Sequence, residues 1–271
     1  GGLYHYNGSY STWLTLTHVT FSGNSATLGG GMAASSRGVP ILRSVAFTGN
    51  HADEGGGGMY NYFQSSPRGT NAILAGNTAG AYGGGIYNDD SGGMLMNVTL
   101  SGNTAANLGA GIYNEDGGGN LTNAILWNNT ANSGNQIDNS SSTMVIHYSN
   151  VQGCGGSSGW DTSCGRDDGG NLDADPRFVR EPDPGADGQW DGVDDDYGDL
   201  HLQSGSPSID TGTNTTFHYD CPATDLDGNP RPVNGVCDMG AYEYDPSAAL
   251  DINYDAGAPG SVFALSGRNF P

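Results

Sequence analysis

One six-residue phrase, written five times at a nearly constant interval, constrains this chain more than any other feature. FSGNSA at 21–26 returns as FTGNHA at 47–52, LAGNTA at 74–79, LSGNTA at 100–105 and LWNNTA at 126–131. The Asn falls at 24, 50, 77, 103 and 129, so the steps are 26, 27, 26 and 26 residues. A fixed period of that size marks one structural unit stacked on copies of itself. Gly-rich runs keep the same period: GGGM (29–32), GGGGM (55–59), GGGI (83–86) and GAGI (109–112). The apolar segments between these corners are about 4–8 residues long and rich in Thr, Val, Ile, Leu and aromatics, a strand signature. With 47 Gly in 271 residues, long helices would lose too much backbone entropy.

Registering the repeats on the Asn gives three apolar columns. Eight residues before it lie Leu16, Leu42, Gly69, Leu95 and Leu121; five before, Val19, Val45, Ala72, Val98 and Ala124; three before, Phe21, Phe47, Leu74, Leu100 and Leu126. Each residue then lies on its equivalent in the coil below, at roughly the 4.8 Å strand spacing. The chain is therefore predicted to be all-β, a right-handed parallel β-helix over 1–153. A β-rich module succeeds it at 154–245, then a linker and one strand at 246–271. At the corner an Asn tolerates left-handed backbone angles, and its amide both donates to and accepts from its copy one coil away. Asn24, Asn50, Asn77, Asn103 and Asn129 are expected to form one axial ladder. A second column, Asn71, Asn97 and Asn123, with His18 and Ser44 in earlier coils, reads as another ladder where the strand bends.

The paired motifs Phe-x-x-Asn and Gly-Gly-[Ala/Gly]-[Ile/Leu/Met] resemble the repeats of the chlamydial polymorphic outer-membrane proteins and of many secreted bacterial β-helix proteins. The resemblance covers about residues 1–152. It implies surface exposure as an adhesin or passenger, not a chemistry.

Formal charge is −21, from 29 acidic and 8 basic side chains, the basic ones all Arg. Nucleic acid and anionic membranes are repelled, and polyanions such as pectate meet the same field. Four cysteines lie as two local pairs, Cys154/Cys164 and Cys221/Cys237. Metal ligation competes with disulfide bonding, but neither pair has Cys-x-x-Cys spacing and no His lies nearby in a ligand pattern. Disulfides are the expectation, and with them a secreted, extracellular or cell-surface location. The opening GGLYHYNG reads as a Gly-Gly-apolar corner, so the sequence is expected to start within the solenoid.

Past the repeats, CGGSSGWDTSCGRDDGG (154–170) reads as a disulfide-closed loop. The next stretch, which begins NLDADPRFVREPDPG at 171, resembles the C-terminal module of anchored, secreted bacterial β-helix proteins. Its marks are Asp-Pro-x-Phe (175–178), Gly-Asp-x-x-Leu (198–202), Ser-Pro-x-Ile-Asp-x-Gly (206–212) and Asp-x-Gly-Ala-Tyr-Glu (238–243), with a long acidic insertion at 181–197. Physically, such a module should finish the solenoid by covering a sheet end. The final GSVFALSGRNFP resembles the first strand of an IPT/TIG-type immunoglobulin-like domain. Because SVFALSGRNF alternates and comes after a linker, it is also a candidate donor strand for a neighbour's open end, which would generate a head-to-tail filament. The competing reading is a longer protein whose own upstream coils cover that end.

Candidate sites are few. Asp183, Asp187, Asp191, Asp194, Asp195, Asp196 and Asp199 crowd one Gly-spaced segment, and their mutual repulsion suits either a solvated loop or one gathered by Ca²⁺. Asp225, Asp227 and Asn229 alternate in DLDGN but read as a structural turn. Asp89/Asp90 and Glu115/Asp116 fall at equivalent places in adjacent coils and would form an acidic ridge. Tyr60, Tyr87 and Tyr113 should stack in an outward column, a glycan platform or plain aromatic stacking. Arg37, Arg43 and Arg68 do not align with the ridge. Polysaccharide lyases and hydrolases on this fold combine clustered Asp with Lys or Arg on one face, and no coil face here carries that pattern. The expectation is a non-catalytic extracellular structural or adhesive protein, with a carbohydrate-active enzyme or a lectin-like binder as alternatives. Its expected partners are other copies end to end, cell surfaces or glycans.

Overall fold

The computed structural model describes residues 1–7, 14–133, 136–190, 192–215 and 220–247. Three ribbons of parallel strands run up the molecule. The first stacks Leu3–Tyr6, Met32–Ser35, Met59–Tyr62, Ile86–Asp89, Ile112–Glu115 and Ile137–Ser140. The second stacks Thr15–Ser22, Ile41–Thr48, Arg68–Ala75 and Met94–Ser101, then divides into Asn120–Thr122 and Ile125–Trp127. It continues through Val145–His147, Asn150–Val151 and Arg166–Asp167. The third holds Ser25–Leu28, His51–Gly55, Thr78–Ala79, Thr104–Ala105 and Thr130–Ala131. This is a parallel β-solenoid with the period of the repeated phrase.

Strand register is that of the repeats. Leu16 lies opposite Leu42, then Gly69, Leu95 and Leu121; Val19 opposite Val45, Ala72 and Val98; Phe21 opposite Phe47, Leu74, Leu100 and Leu126. From the second coil onward these side chains are buried in one continuous core, with Ala124 among them. The Gly corners are tight for a steric reason. A Cβ on Gly31, Gly58, Gly85 or Gly111 would come within 2.6–2.7 Å of a carbonyl oxygen of the next coil.

Two corners differ from expectation. At the repeated phrase the left-handed residue is the Gly before the ladder Asn (Gly23, Gly49, Gly76 and Gly102, φ 59° to 68°), or Asn128 in the fifth phrase, and not the ladder Asn itself. Midway along the second ribbon, His18, Ser44, Asn71, Asn97, Asn123 and Tyr148 are all left-handed, with φ between 43° and 53°. The strand kinks there as expected. The second Asn ladder, however, is not continuous: Asn123 Nδ2 reaches Asn97 Oδ1 only at 3.4 Å. These amides serve a different partner. Asn71 donates to the Thr224 carbonyl (2.6 Å), Asn97 to that of Asp238 (3.0 Å) and Asn123 to that of Thr213 (2.8 Å).

The C-terminal module therefore docks on the flank of the solenoid. Its first residues close the end: Cys154 and Cys164 are bonded and fully buried in the solenoid core with Trp160 packed against it, and Arg166–Asp167 and Leu172 pair with the last coil. The chain then turns back along the second ribbon. Phe178, Leu200, Leu202 and Met239 pack on Ala75 and Ile125, and Ala241 N–H donates to Thr99 Oγ1. The four sequence marks converge: Phe178 pairs with Leu202 in an antiparallel hairpin, Asp238 Oδ1 accepts from Asp210 N–H, and Met239 N–H donates to the Ser208 carbonyl. A second disulfide joins Cys221 to Cys237. The flank is favoured because outward Ile73, Ala75, Ile125 and Trp127 already present an apolar strip that needs cover. The tail strand SVFALSGRNF lies outside the described residues. No helix among the described residues is long and apolar enough to cross a membrane.

Candidate functional site

The ladder asparagines point inward, and each amide donates to the Oδ1 of the next: Asn24 to Asn50, Asn50 to Asn77, Asn77 to Asn103 and Asn103 to Asn129, at 2.7–2.9 Å. Gln136 ends the row, accepting from Asn129 Nδ2 at 2.6 Å. A second internal ladder, Asn61 to Asn88 to Asn114 to Asn139, runs behind the first ribbon and ends on the carbonyls of Ser163 and Cys164 in the disulfide cap. The Asn that follows each of Tyr60, Tyr87 and Tyr113 in the sequence marks its first three rungs.

Tyr60, Tyr87 and Tyr113 do form a column, with ring centroids 5.1 and 5.3 Å apart and planes tilted by 51° and 56°, but they are not an exposed platform. All three are under 10% exposed, covered by Leu28, Ala33, Tyr82 and Leu108. The flat ring contacts are made with neighbours outside the column, Tyr60 with Tyr62 at 5.7 Å and Tyr113 with Tyr82 at 4.7 Å. Each hydroxyl reaches one coil onward, Tyr60 to Asp89 (2.7 Å) and Tyr87 to Glu115 (2.5 Å). Burial first, and then these carboxylates, raise both phenol pKa values. Asp89 and Glu115 do lie side by side. The inner members of the ridge are thus tyrosine partners, while Asp90 and Asp116 are exposed left-handed turn residues.

Six of the seven aspartates of the acidic segment lie among the described residues. Among the described residues no three His, Cys, Asp or Glu side chains converge as metal ligands, and Asp191 lies outside those residues. The carboxylates are distributed instead. Asp183 accepts from Gly185 N–H, Asp187 from Gln189, Asp194 from Ala186 and Asp195 from Gly192. Asp196 pairs with Arg180 at 2.6 Å. Local backbone donors thus stabilise the charged form of these carboxylates. The segment is pinned by Trp190, which stacks on Tyr197 at 5.7 Å. Both rest on the repeated glycines, since a Cβ at Gly76 would come within 2.6 Å of the Trp190 ring. Its tip, Val193, is completely exposed.

Asp199 meets an unanticipated partner. His201 Nδ1 lies 2.6 Å from Asp199 and Nε2 lies 3.0 Å from Asp227, with the ring stacked on Tyr242 at 3.8 Å. Burial alone would lower the His201 pKa; hydrogen bonds to Asp227 and Asp199 outweigh it and raise it. Beneath this clamp, Arg231 and Glu243 form a buried ion pair at 2.9 Å. Asp225 and Asp238 close the cluster with backbone donors, and Asp225 caps the DLDGN turn through Asn229 N–H. Burial beside Glu243 pushes the Asp238 carboxyl up to about 7. These groups hold the module together.

The concavity of about 210 Å³ lies elsewhere, on the outer face of the first half of the second ribbon. Two outward columns build it. One runs Ile41, Arg68, Met94, Asn120 and Val145; the other Arg43, Thr70, Met96, Thr122 and His147. Met94 and Met96 make an apolar floor, with Arg43 and Arg68 at one end and His147 and Asp168 at the other. Arg43 and Arg68 are two of the three arginines that do not align with the acidic ridge; they belong to this other face. The signal was present in the sequence, because MLM at 94–96 breaks the alternation of a half-exposed strand.

Residues 97–115 match the repeat of the Chlamydia polymorphic membrane protein. That stretch spans the fourth phrase and the Gly-Ala-Gly-Ile corner after it, one rung of each ladder. No curated protein and no solved structure matches the chain.

Proposed function

We propose that this chain is a non-catalytic, extracellular structural and adhesive segment of a bacterial surface protein. Its solenoid acts as a stiff spacer and its flank-bound module as a brace. The observation that carries this reading is the fate of the repeated acids. Asp89 and Glu115, the carboxylates the repeats place in register, accept from buried tyrosine hydroxyls one coil away. They serve the stack rather than face a substrate. The match at 97–115 to a membrane-protein repeat and the two disulfides support a surface location. Offering immobilised polysaccharides and whole cells to the purified chain tests the reading. Retention without release of reducing ends or unsaturated products is expected. Product formation that Asp89→Asn or Glu115→Gln abolishes would overturn it.

A further inference from the structure

The sheet-face trough and the tip of the acidic segment are chemical complements on different faces of one molecule. Arg43, Arg68 and Arg166 are three of the eight basic residues, and all lie on this face of a chain carrying −21 overall. Asp168 is the one acid lining the trough, and it pairs with Arg166 at 3.8 Å. Between the charged ends lie Met94 and Met96, a soft floor that accommodates a branched apolar side chain. Val193 is the complement: a fully exposed apolar side chain beside Asp194, with the exposed carboxylates of Asp183 and Asp187 on the same loop.

We propose that the trough receives the Val193 loop of a second copy of this chain. Val193 would seat on Met94 and Met96, and the loop carboxylates would face Arg43 and Arg68. An intramolecular version is blocked, because the docked module lies between the two surfaces. Thr224 is held by Asn71 at the edge of the trough, and Trp190 holds the loop to the Gly76 corner beyond. The trough is lined by side chains in register across coils, so it is rigid before contact. The loop is fastened at both flanks, by Trp190 and by the Arg180–Asp196 pair, so it too arrives ordered and little entropy is lost on docking. Two different patches meeting make a heterologous contact, which propagates unless the rotation closes a ring.

Sedimentation of the full chain over a range of concentrations tests this. Wild type is expected to self-associate, and more weakly as salt rises from about 50 to about 500 mM, because opposite charges lie across the contact. Val193→Asp kills the knob and Arg43→Glu/Arg68→Glu kills the socket. Both sites are exposed, so thermal melts should match wild type, and each variant alone should associate about tenfold or more weakly. Mixed together, each variant retains the half the other lacks, so a 1:1 heterodimer and nothing larger should form. A wild type that stays monomeric, a Val193→Asp variant that associates like wild type, or a mixture that does not pair would each overturn the proposal. Binding of an acidic peptide or an anionic vesicle that depends on Arg43 and Arg68, with wild type monomeric, would assign the trough to a different occupant.

Discussion

Replacing Asn77 by Ala probes the ladder where it is most enclosed. The side chain makes four hydrogen bonds. Its Oδ1 accepts from Asn50 N–H (3.1 Å) and Asn50 Nδ2 (2.9 Å), and its Nδ2 donates to the Phe47 carbonyl (2.9 Å) and to Asn103 Oδ1 (2.8 Å). Asn50, Asn77 and Asn103 are all fully buried, so water cannot replace what is removed. Two buried donors on Asn50 lose their acceptor, and at about 1–3 kcal/mol for each stranded group the loss is about 2–6 kcal/mol. That is a large share of a typical stability of about 5–15 kcal/mol. Asn24 is the internal control: half-exposed at the first rung, it donates to Asn50 Oδ1, which Asn24 N–H also serves. Asn24→Ala should cost about 1 kcal/mol or less. Asn77→Asp adds a charge test, since its second oxygen would face the Phe47 carbonyl and Asn103 Oδ1 and recover donation only when protonated. Urea unfolding followed by far-ultraviolet circular dichroism gives all three costs. If Asn77→Ala and Asn24→Ala are equally mild, the ladder is not holding the coils together and the reasoning fails.

Removing the cap disulfide with Cys154→Ser/Cys164→Ser should cost about 2–3 kcal/mol and expose the last coil first, read as faster hydrogen exchange at Met144–Val151; uniform exchange would contradict the capping role. Trp190→Ala should free the acidic segment, so that limited proteolysis within 181–197 accelerates while the solenoid's urea midpoint barely moves; unchanged cleavage would show that Tyr197 and Arg180 suffice. The His201 clamp predicts a pH dependence. Its folded pKa is raised, so its contribution is full below the unfolded value of 6.5 and fades as pH rises through the folded one. Thermal midpoints from about pH 5 to about pH 9 should fall as pH rises for wild type and fall less steeply in His201→Gln, where the raised Asp238 carboxyl still contributes; equal slopes would mean that Asp238 or another group controls the transition.

The architecture of the solenoid was legible in the sequence because a stacked coil makes each residue its own neighbour. A period of about 26 residues names the contact partner, so the three apolar columns and the Asn24-to-Asn129 ladder could be read from spacing, while the two disulfides were legible as local cysteine pairs without metal-ligand spacing. The first ladder's chemistry came with it, and the second, through Asn61, Asn88, Asn114 and Asn139, was present in the same repeats. Contacts that skip the period carry no such mark. Asn71 and Thr224 are 153 residues apart, and only the folded chain shows that Asn71, Asn97 and Asn123 turn outward to fasten the module along the flank. The same holds for exposure. Repetition places Tyr60, Tyr87 and Tyr113 in a column, but whether their faces meet solvent depends on Leu28, Tyr82 and Leu108 from the neighbouring corner. Charge behaves likewise: a chain with a net charge of −21 gathers Arg43, Arg68 and Arg166 on one face because alternation in three separate strands points them the same way. Period determines which residues stack; packing between non-repeating segments decides what is covered and what is left open.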